Sequence, residues 1–271
     1  MGNVELLKLA ETDVSTALPA SQYAPVLATP PFVCVDGTFN TRDLGLVPDS
    51  PLRANFAFRS GALGGLTDNG RAVLSGKLGV KRIFDLRSPE ERTHAPDPVI
   101  DGVENTWLAS ARPDAKIDLS KFVQGEGEAG YQDMYLDVVE VYEASWKAIL
   151  QHVRDRPQDP FSGRDRTGFF GGLLLALVGA SEDVIILDWL LSRIGTEPVR
   201  EMLLAFAKKG TESSDEMQAG FLNLVGLKRS CWQAFVDGMN REYGGFEKFV
   251  TDRLGFSASD LATIQRNLKS A

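Results

Sequence analysis

Histidine and cysteine are nearly missing from this chain, whose 271 residues hold two of each. Cys34 and Cys231 are too few and too far apart for a disulfide scaffold, so a reduced, cytoplasmic protein is expected. His94 and His152 form no cluster with them, which excludes a zinc centre; no metal and no cofactor are expected. Positive charge is also short. With 29 basic against 37 acidic residues, a formal charge of -8 and a pI near 5.0, the chain lacks the basic face that phosphate backbones select, so no nucleic acid is expected as a partner. The longest apolar run, Phe169 to Ala180, cannot cross a bilayer and is interrupted by Gly171, Gly172 and Gly179. It reads as a buried helix, and no membrane span is expected. No apolar leader opens the chain. Met1-Gly2 begins like an acylation signal, but Leu6 stands where Ser or Thr is required.

What is present is enough chain to bury a sizeable core, with no low-complexity linker and no fixed-period repeat. Residues 1–30, with a short helix at Val4 to Ala10, read as a loosely attached arm, and 31–271 as one domain. Phe32-Val33-Cys34-Val35 and Phe56-Ala57-Phe58 read as strands, with Cys34 a small buried hydrophobe. Asp68 to Leu78 has helical periodicity and stops at Gly79. Val80 to Leu86 reads as a strand that delivers Asp85 and Arg87 to the carboxyl end of a sheet, where open α/β sheets bind ligands. Ala109 to Gly130 reads as a surface loop. Gln132 to Val153 reads as one amphipathic helix, with His152 a surface residue at its end. His94 reads as a loop residue. Ser181-Glu182-Asp183 caps a helix over Val184 to Ile194. Further helices are expected at Glu197 to Lys208, Asp215 to Leu222, Lys228 to Tyr243, Gly245 to Leu254 and Ser259 to Leu268, so the C-terminal third is wholly helical.

The chemistry concentrates in Gly163-Arg164-Asp165-Arg166-Thr167-Gly168. A Gly-flanked turn feeding an apolar helix presents unpaired N–H groups and the positive end of a helix dipole to an anion. Arg166 at that entrance can grip two phosphate oxygens. Arg154, Arg156 and Arg164 add local cations, with a solvated Arg/Asp loop as the competing reading of the first two. A nucleotide P-loop is excluded because Phe169 follows Gly168 where Lys is required.

This segment resembles the second half of the loop of atypical Cys-dependent tyrosine and lipid phosphatases, His-Cys-x-x-Gly-Lys-Asp-Arg-Thr-Gly. Other blocks are similar to that family in order: Asp36-Gly37-Thr38-Phe39-Asn40-Thr41-Arg42-Asp43-Leu44-Gly45, Phe58-Arg59-Ser60-Gly61, Ile83-Phe84-Asp85-Leu86-Arg87-Ser88-Pro89, Tyr131-Gln132-Asp133-Met134-Tyr135 and Tyr243-Gly244-Gly245-Phe246. The resemblance implies an α/β fold, a mostly parallel central sheet flanked by helices, with a possible helical lid over 197–243. It implies phosphomonoester hydrolysis by a thiolate, on phosphotyrosine, phosphoserine or phosphoinositide. The family spacing puts that Cys at position 160, which is Pro160, with Asp159 in place of the preceding His. Either the loop was substituted in place, or a segment such as Leu-Phe-His-Cys-x was lost after Phe161. Arg154 to Phe161, with Pro157 and Pro160 among its charges, suits a loop rather than the interior strand that should enter the Cys, which favours loss. The loss can be biological or an error in the sequence as read. It would leave the central sheet disabled, or leave a folded protein without its nucleophile.

By resemblance, Arg166 binds phosphate with Gly163, Arg164, Thr167 and Gly168. Asp165 and Asp85 are the candidate acid/base carboxylates, and Arg42, Asp43 and Arg87 brace the loop, with a structural ion-pair network as the alternative. Arg59 reads as structural. Ser162 lies too close to Arg166 and lacks a base, so it is not a nucleophile. As written, the chain is expected to be inactive in hydrolysis. The alternative is a pseudophosphatase that binds a phosphorylated protein or phosphoinositide head group.

Overall fold

Three short strands, buried almost throughout, build the centre of the sheet. In the computed structural model, which describes residues 2–113, 117–164, 167–208 and 215–269, five strands run β1 (Arg42–Asp43), β2 (Ala57–Ser60), β3 (Arg82–Asp85), β4 (Glu104–Trp107) and β5 (Phe161–Arg164). Their spatial order is β1-β2-β5-β3-β4, antiparallel at β1–β2 and parallel elsewhere. β5 is therefore central. Phe161 pairs with Ala57 and Arg82, and Arg164 with Ser60 and Asp85. Because side chains alternate between faces, Phe84 and Phe161 enter the main core, while Phe58 and Ile83 enter a smaller one with Leu66, Leu74 and Val80.

Thirteen helices are described: α1 (Asn3–Ala10), α2 (Ala20–Leu27), α3 (Asp68–Ala72), α4 (Pro89–His94), α5 (Glu128–Val141), α6 (Glu143–Asp155), α7 (Thr167–Leu177), α8 (Glu182–Gly195), α9 (Arg200–Lys208), α10 (Asp215–Val225), α11 (Arg229–Tyr243), α12 (Phe246–Lys248) and α13 (Ala258–Lys269). The mostly parallel sheet and its helical flanks are the expected architecture. α7 is apolar on every side, and Phe169, Phe170, Leu173, Leu174, Leu175 and Leu177 are all buried. Such a helix is stable only inside a core. Ser181 accepts from the Val184 N–H and caps α8 as expected.

Several expectations are corrected. Residues 1–30 are docked: Leu6, Leu9 and Val26 are buried. Arg193 donates to the Thr12 and Thr16 carbonyls, and Glu197 accepts from the Leu18 N–H at 2.8 Å. Phe32 to Val35 forms one bridge, Phe32 to Arg42, instead of a strand, and Cys34 is exposed. The expected single helix from Gln132 is two. It breaks at Tyr142 (φ -108, ψ 23), where the buried Trp146 indole takes the Val139 carbonyl at 3.1 Å. The segment from Ala109 to Gly130 includes a short helical turn, Leu119–Phe122, that buries Leu119 and Phe122. β4 was not expected because Glu104-Asn105-Thr106-Trp107 is a polar edge strand without apolar alternation.

His152 is the fourth correction of burial. It is 3% exposed, edge-on to Phe84 and Phe161 at 5.7 and 5.1 Å, with its Nε2 2.8 Å from the Asp159 carbonyl. A carbonyl only accepts, so Nε2 carries the proton. Burial pushes its pKa below the ordinary 6.5; the Asp159 carbonyl opposes this, and the Arg82 and Arg156 charges add to it. The folded protein thus prefers the neutral ring. The unfolded chain binds the extra proton first as pH falls, so this group's contribution to stability is intact above about pH 6.5 and is lost progressively below it. Thermal melts should show a Tm that declines from about pH 6.5 to about pH 5, with a shallower slope in His152→Leu; an identical slope would contradict the assignment.

Candidate active site

Polar groups gather at the carboxyl ends of the parallel strands. Arg42 on β1, Arg59 on β2 and Asp188 on α8 are all buried. Asp188 accepts from Arg42 Nε at 2.8 Å through Oδ1 and from Arg59 Nη1 at 2.5 Å through Oδ2. Arg42 also donates to the Asp188 carbonyl at 2.7 Å, to Ser192 Oγ at 2.9 Å and to Asn40 Oδ1. Asn40 makes that contact from a left-handed backbone (φ 56), which Asn tolerates better than most residues. Burial alone would raise the Asp188 pKa, but the two guanidiniums outweigh it and hold it below the ordinary value. Burial, with the like charge of Arg59, draws Arg42 down to about 10. α7 closes over this network at Gly171, where a Cβ would lie 2.7 Å from Asp188 Oδ2. Asp43 is turned elsewhere: its carboxylate accepts from the Gly45 and Asn55 N–H groups at 2.8 and 2.6 Å, holding the chain between β1 and β2.

A second network fills the other side of the strand ends. Asp85 is held by both Arg87 Nε at 2.8 Å and Nη2 at 2.9 Å. Arg87 Nη2 also lies 3.2 Å from Asp97, which pairs in addition with Arg164 and accepts from Asn105 at 2.6 Å. Asp85, Arg87, Asp97 and Arg164 are all at least nine-tenths removed from water. Both Asp85 carboxylate oxygens are therefore engaged by Arg87.

The first two residues of the expected Gly-flanked turn are strand. Gly163 and Arg164 form the last half of β5, with Gly163 admitting the Phe170 ring, whose atoms would stand 3.2 Å from an added Cβ. Parallel pairing with β2 and β3 demands a fourth and third residue here, and the chain supplies them from the segment read as loop. The central sheet holds five paired strands. α7 begins at Thr167, and Gly168 follows on it. Asp165 and Arg166 lie outside the described residues and are all the sequence that stands between β5 and α7. Position 160 is at the wrong end of the strand. Pro160 offers its carbonyl to the Lys81 N–H at 2.7 Å, and the strand's length of about 13 Å separates it from the carboxyl edge. Of the loop expected from Arg154 to Phe161, residues 156–160 are loop, whereas Arg154 and Asp155 end α6 and Phe161 opens β5.

Neither cysteine replaces the missing group. Cys231 is buried on α11, donates to the Glu126 carbonyl at 3.2 Å, and has its pKa pushed up to about 12 by burial and by Glu128. Cys34 sits before β1. Ser162 is buried at β5, in register with Phe58 and Ile83. Among the described residues no group of three or more His, Cys, Asp or Glu could hold a metal ion, and no helix is long and apolar enough to cross a membrane. Asp188 and Asp97 were not foreseen. Asp188 did leave a signal, as the lone charge within Val184 to Leu191, a stripe that buries a carboxylate only against a cation. Asp97, between Pro96 and Pro98, left none.

Comparison with known proteins gives a consistent picture. A family model described as "Tyrosine phosphatase family" matches residues 33–270. A tyrosine-protein phosphatase of Nostoc commune is 27% identical over 277 residues, covering 95% of this chain and 90% of that protein. The triple specificity protein phosphatase PtpB of Mycobacterium tuberculosis (strain ATCC 25618 / H37Rv) is 28% identical over 204 residues, covering 60% of this chain and 70% of that protein.

Removing Asp188 leaves two buried guanidiniums against no carboxylate. Asp188→Ala should lower the unfolding free energy in urea by about 3–5 kcal/mol. A loss below about 1 kcal/mol, the range of exposed pairs, would show that the network is not the buried brace described.

Proposed function

The chain belongs to the tyrosine phosphatase family, and from that membership we propose that it is a phosphatase scaffold that binds phosphorylated groups without the thiol-dependent hydrolysis. The observation that carries this is the connection from β5 to α7. An arc of the form Cys-x-x-x-x-x-Arg does not fit where Asp165 and Arg166 are the whole connection. The family reaction needs a thiolate at the carboxyl edge, held anionic by a helix N-terminus and an Arg. This chain has neither Cys there, and the buried thiol of Cys231 is held protonated. Leaving-group protonation also lacks support, because Asp85 is committed to Arg87. Arg164 gives its charge to Asp97 in the sheet instead of to a ligand.

What this reading keeps is oxyanion binding at the start of α7. On this reading the first-turn amides of α7 are donors, and Arg166 and Asp165, which precede them directly in the sequence, contribute charge and specificity. The partner is a phosphorylated protein or a phosphoinositide head group, and the two free cysteines fit a cytoplasmic setting. On this reading residues 197–243 are the segment that covers the site, with Trp232 and Phe235 of α11 packed on Tyr135, ring centres 6.0 and 5.1 Å apart.

The purified protein should release no nitrophenol from para-nitrophenyl phosphate above background, before or after thiol alkylation. A phosphotyrosine peptide should still bind by calorimetry, weakened about tenfold or more in Arg166→Ala, the worth of one charge-assisted contact. Turnover that alkylation abolishes would overturn the loss of chemistry, and equal binding by wild type and variant would overturn the retained site.

A further inference from the structure

Tyr131 and Tyr135 stand one turn apart on α5, and their hydroxyls are used differently. Tyr131 offers its hydrogen to the Leu224 and Gly226 carbonyls, so it is spent inside the fold. The Tyr135 oxygen instead accepts from the Trp189 indole N–H at 2.7 Å. An indole N–H only donates, so the phenol hydrogen takes no part in that bond, and nothing among the described residues accepts it. A phenol keeps its hydrogen at neutral pH, the more so here because burial of the ring pushes its pKa above the ordinary 10. The ring is held in place by Trp189, Trp232 and Phe235, whose ring centres lie 6.3, 6.0 and 5.1 Å away.

The position of this hydroxyl is fixed against α7. A Cβ added at Gly168 would stand 3.1 Å from Tyr135 Cε1 and Cζ, and nearer still to the hydroxyl oxygen. Gly168 is the second residue of α7, and the Cα–Cβ bonds of a helix tilt toward its amino end. The hydroxyl therefore lies on the amino side of the first turn, where N–H groups have no carbonyl partner within the helix. Glycine at 168 is what admits it, since any side chain there would displace the phenol. Tyr135 and Gly168 each keep part of their surface open to water, so a ligand at the mouth of α7 reaches them without rearrangement of the core.

Provided that the start of α7 holds an oxyanion, as the proposed function has it, we propose that Tyr135 is a binding residue of that site, its hydroxyl donating to one phosphate oxygen while first-turn amides donate to others. A neutral donor suits an ionised phosphate monoester, whose terminal oxygens accept and carry no competing hydrogen. The Trp189 bond supports this role in two ways. A phenol that already accepts is polarised into a stronger donor. Its direction is also set before the ligand arrives, which lowers the ordering cost of binding.

Calorimetry with a phosphotyrosine peptide, on wild type and Tyr135→Phe side by side, tests the role. Tyr135→Phe should bind about tenfold more weakly, the worth of one hydrogen bond to a charged group. The chain has five tyrosines, so tyrosine Cζ carbon spectra of the labelled protein, with Tyr135→Phe to assign them, report on the hydroxyl directly. The peptide should move the wild-type Tyr135 signal in a saturable titration and leave the Tyr131 signal in place. Should Tyr135→Phe not fold, Trp189→Phe identifies the Tyr135 signal and the wild-type titration decides. Wild-type binding with an unmoved Tyr135 signal, or equal affinity in Tyr135→Phe, would overturn the role of Tyr135 and leave the α7 site standing. No binding by the wild type would overturn the α7 site, and the role of Tyr135 with it.

Discussion

A parallel strand flanked on both sides must exchange hydrogen bonds with two neighbours, and its backbone groups have no alternative partner once the faces are covered. β5 is in that position between β2 and β3. Leaving the place open would orphan the facing groups of both neighbours, a cost no local loop geometry offsets. The chain meets the demand with Phe161-Ser162-Gly163-Arg164, of which Gly163 and Arg164 open the stretch that resembles the second half of a phosphate loop. Phe161 supplies the apolar anchor, and Gly163 makes room for Phe170. The sheet is complete across β5, and two residues connect it to α7.

The rest of the site follows from this choice. Arg164, delivered to the last place of the strand, lies beside Asp85 in register and meets Asp97. Arg87 joins the same group and binds Asp85 through two nitrogens. On the other side Asp188 gathers Arg42 and Arg59 beneath α7. Both networks are buried and both are anchored to strand ends, so they hold α7 and the strands in fixed relation. Their worth to stability is conditional: paired, such groups are close to neutral, and they are costly only when one partner is removed.

Much of this was legible in the letters. The short apolar runs at β2 and β3, the uniform hydrophobicity of α7 and the Ser181 cap of α8 have local causes, and they appear where expected. The blocks around Arg42 and Arg87 pointed to polar groups at the strand ends. What was not legible depends on long-range partners. Asp188 lies 146 positions from Arg42, and no local pattern joins them. His152 ends a helix, as surface residues do, yet it is drawn inside by the Phe84 and Phe161 rings. The strand role of Gly163 and Arg164 was hidden because their composition favours a turn, and only the vacancy between β2 and β3 overrides that preference. Cys34 was misread because an apolar stretch was taken for a buried strand, whereas Pro31 and Val33 bond to a chain that leaves Cys34 facing water.

The central claim of the proposed reading is that a segment was lost after Phe161 and that β5 was refilled from the residues that follow. Inserting Leu-Phe-His-Cys-Ser after Phe161 supplies a new strand, Phe161-Leu-Phe-His, returns Ser162, Gly163 and Arg164 to the loop, and places a thiol at the carboxyl edge. The decisive measurement is para-nitrophenyl phosphate turnover by this variant beside Pro160→Cys, with a thermal melt of each to establish folding. The account predicts turnover, abolished by thiol alkylation, in the insertion variant and none in Pro160→Cys. Turnover by Pro160→Cys, or a cooperatively folded insertion variant that hydrolyses nothing, would contradict it.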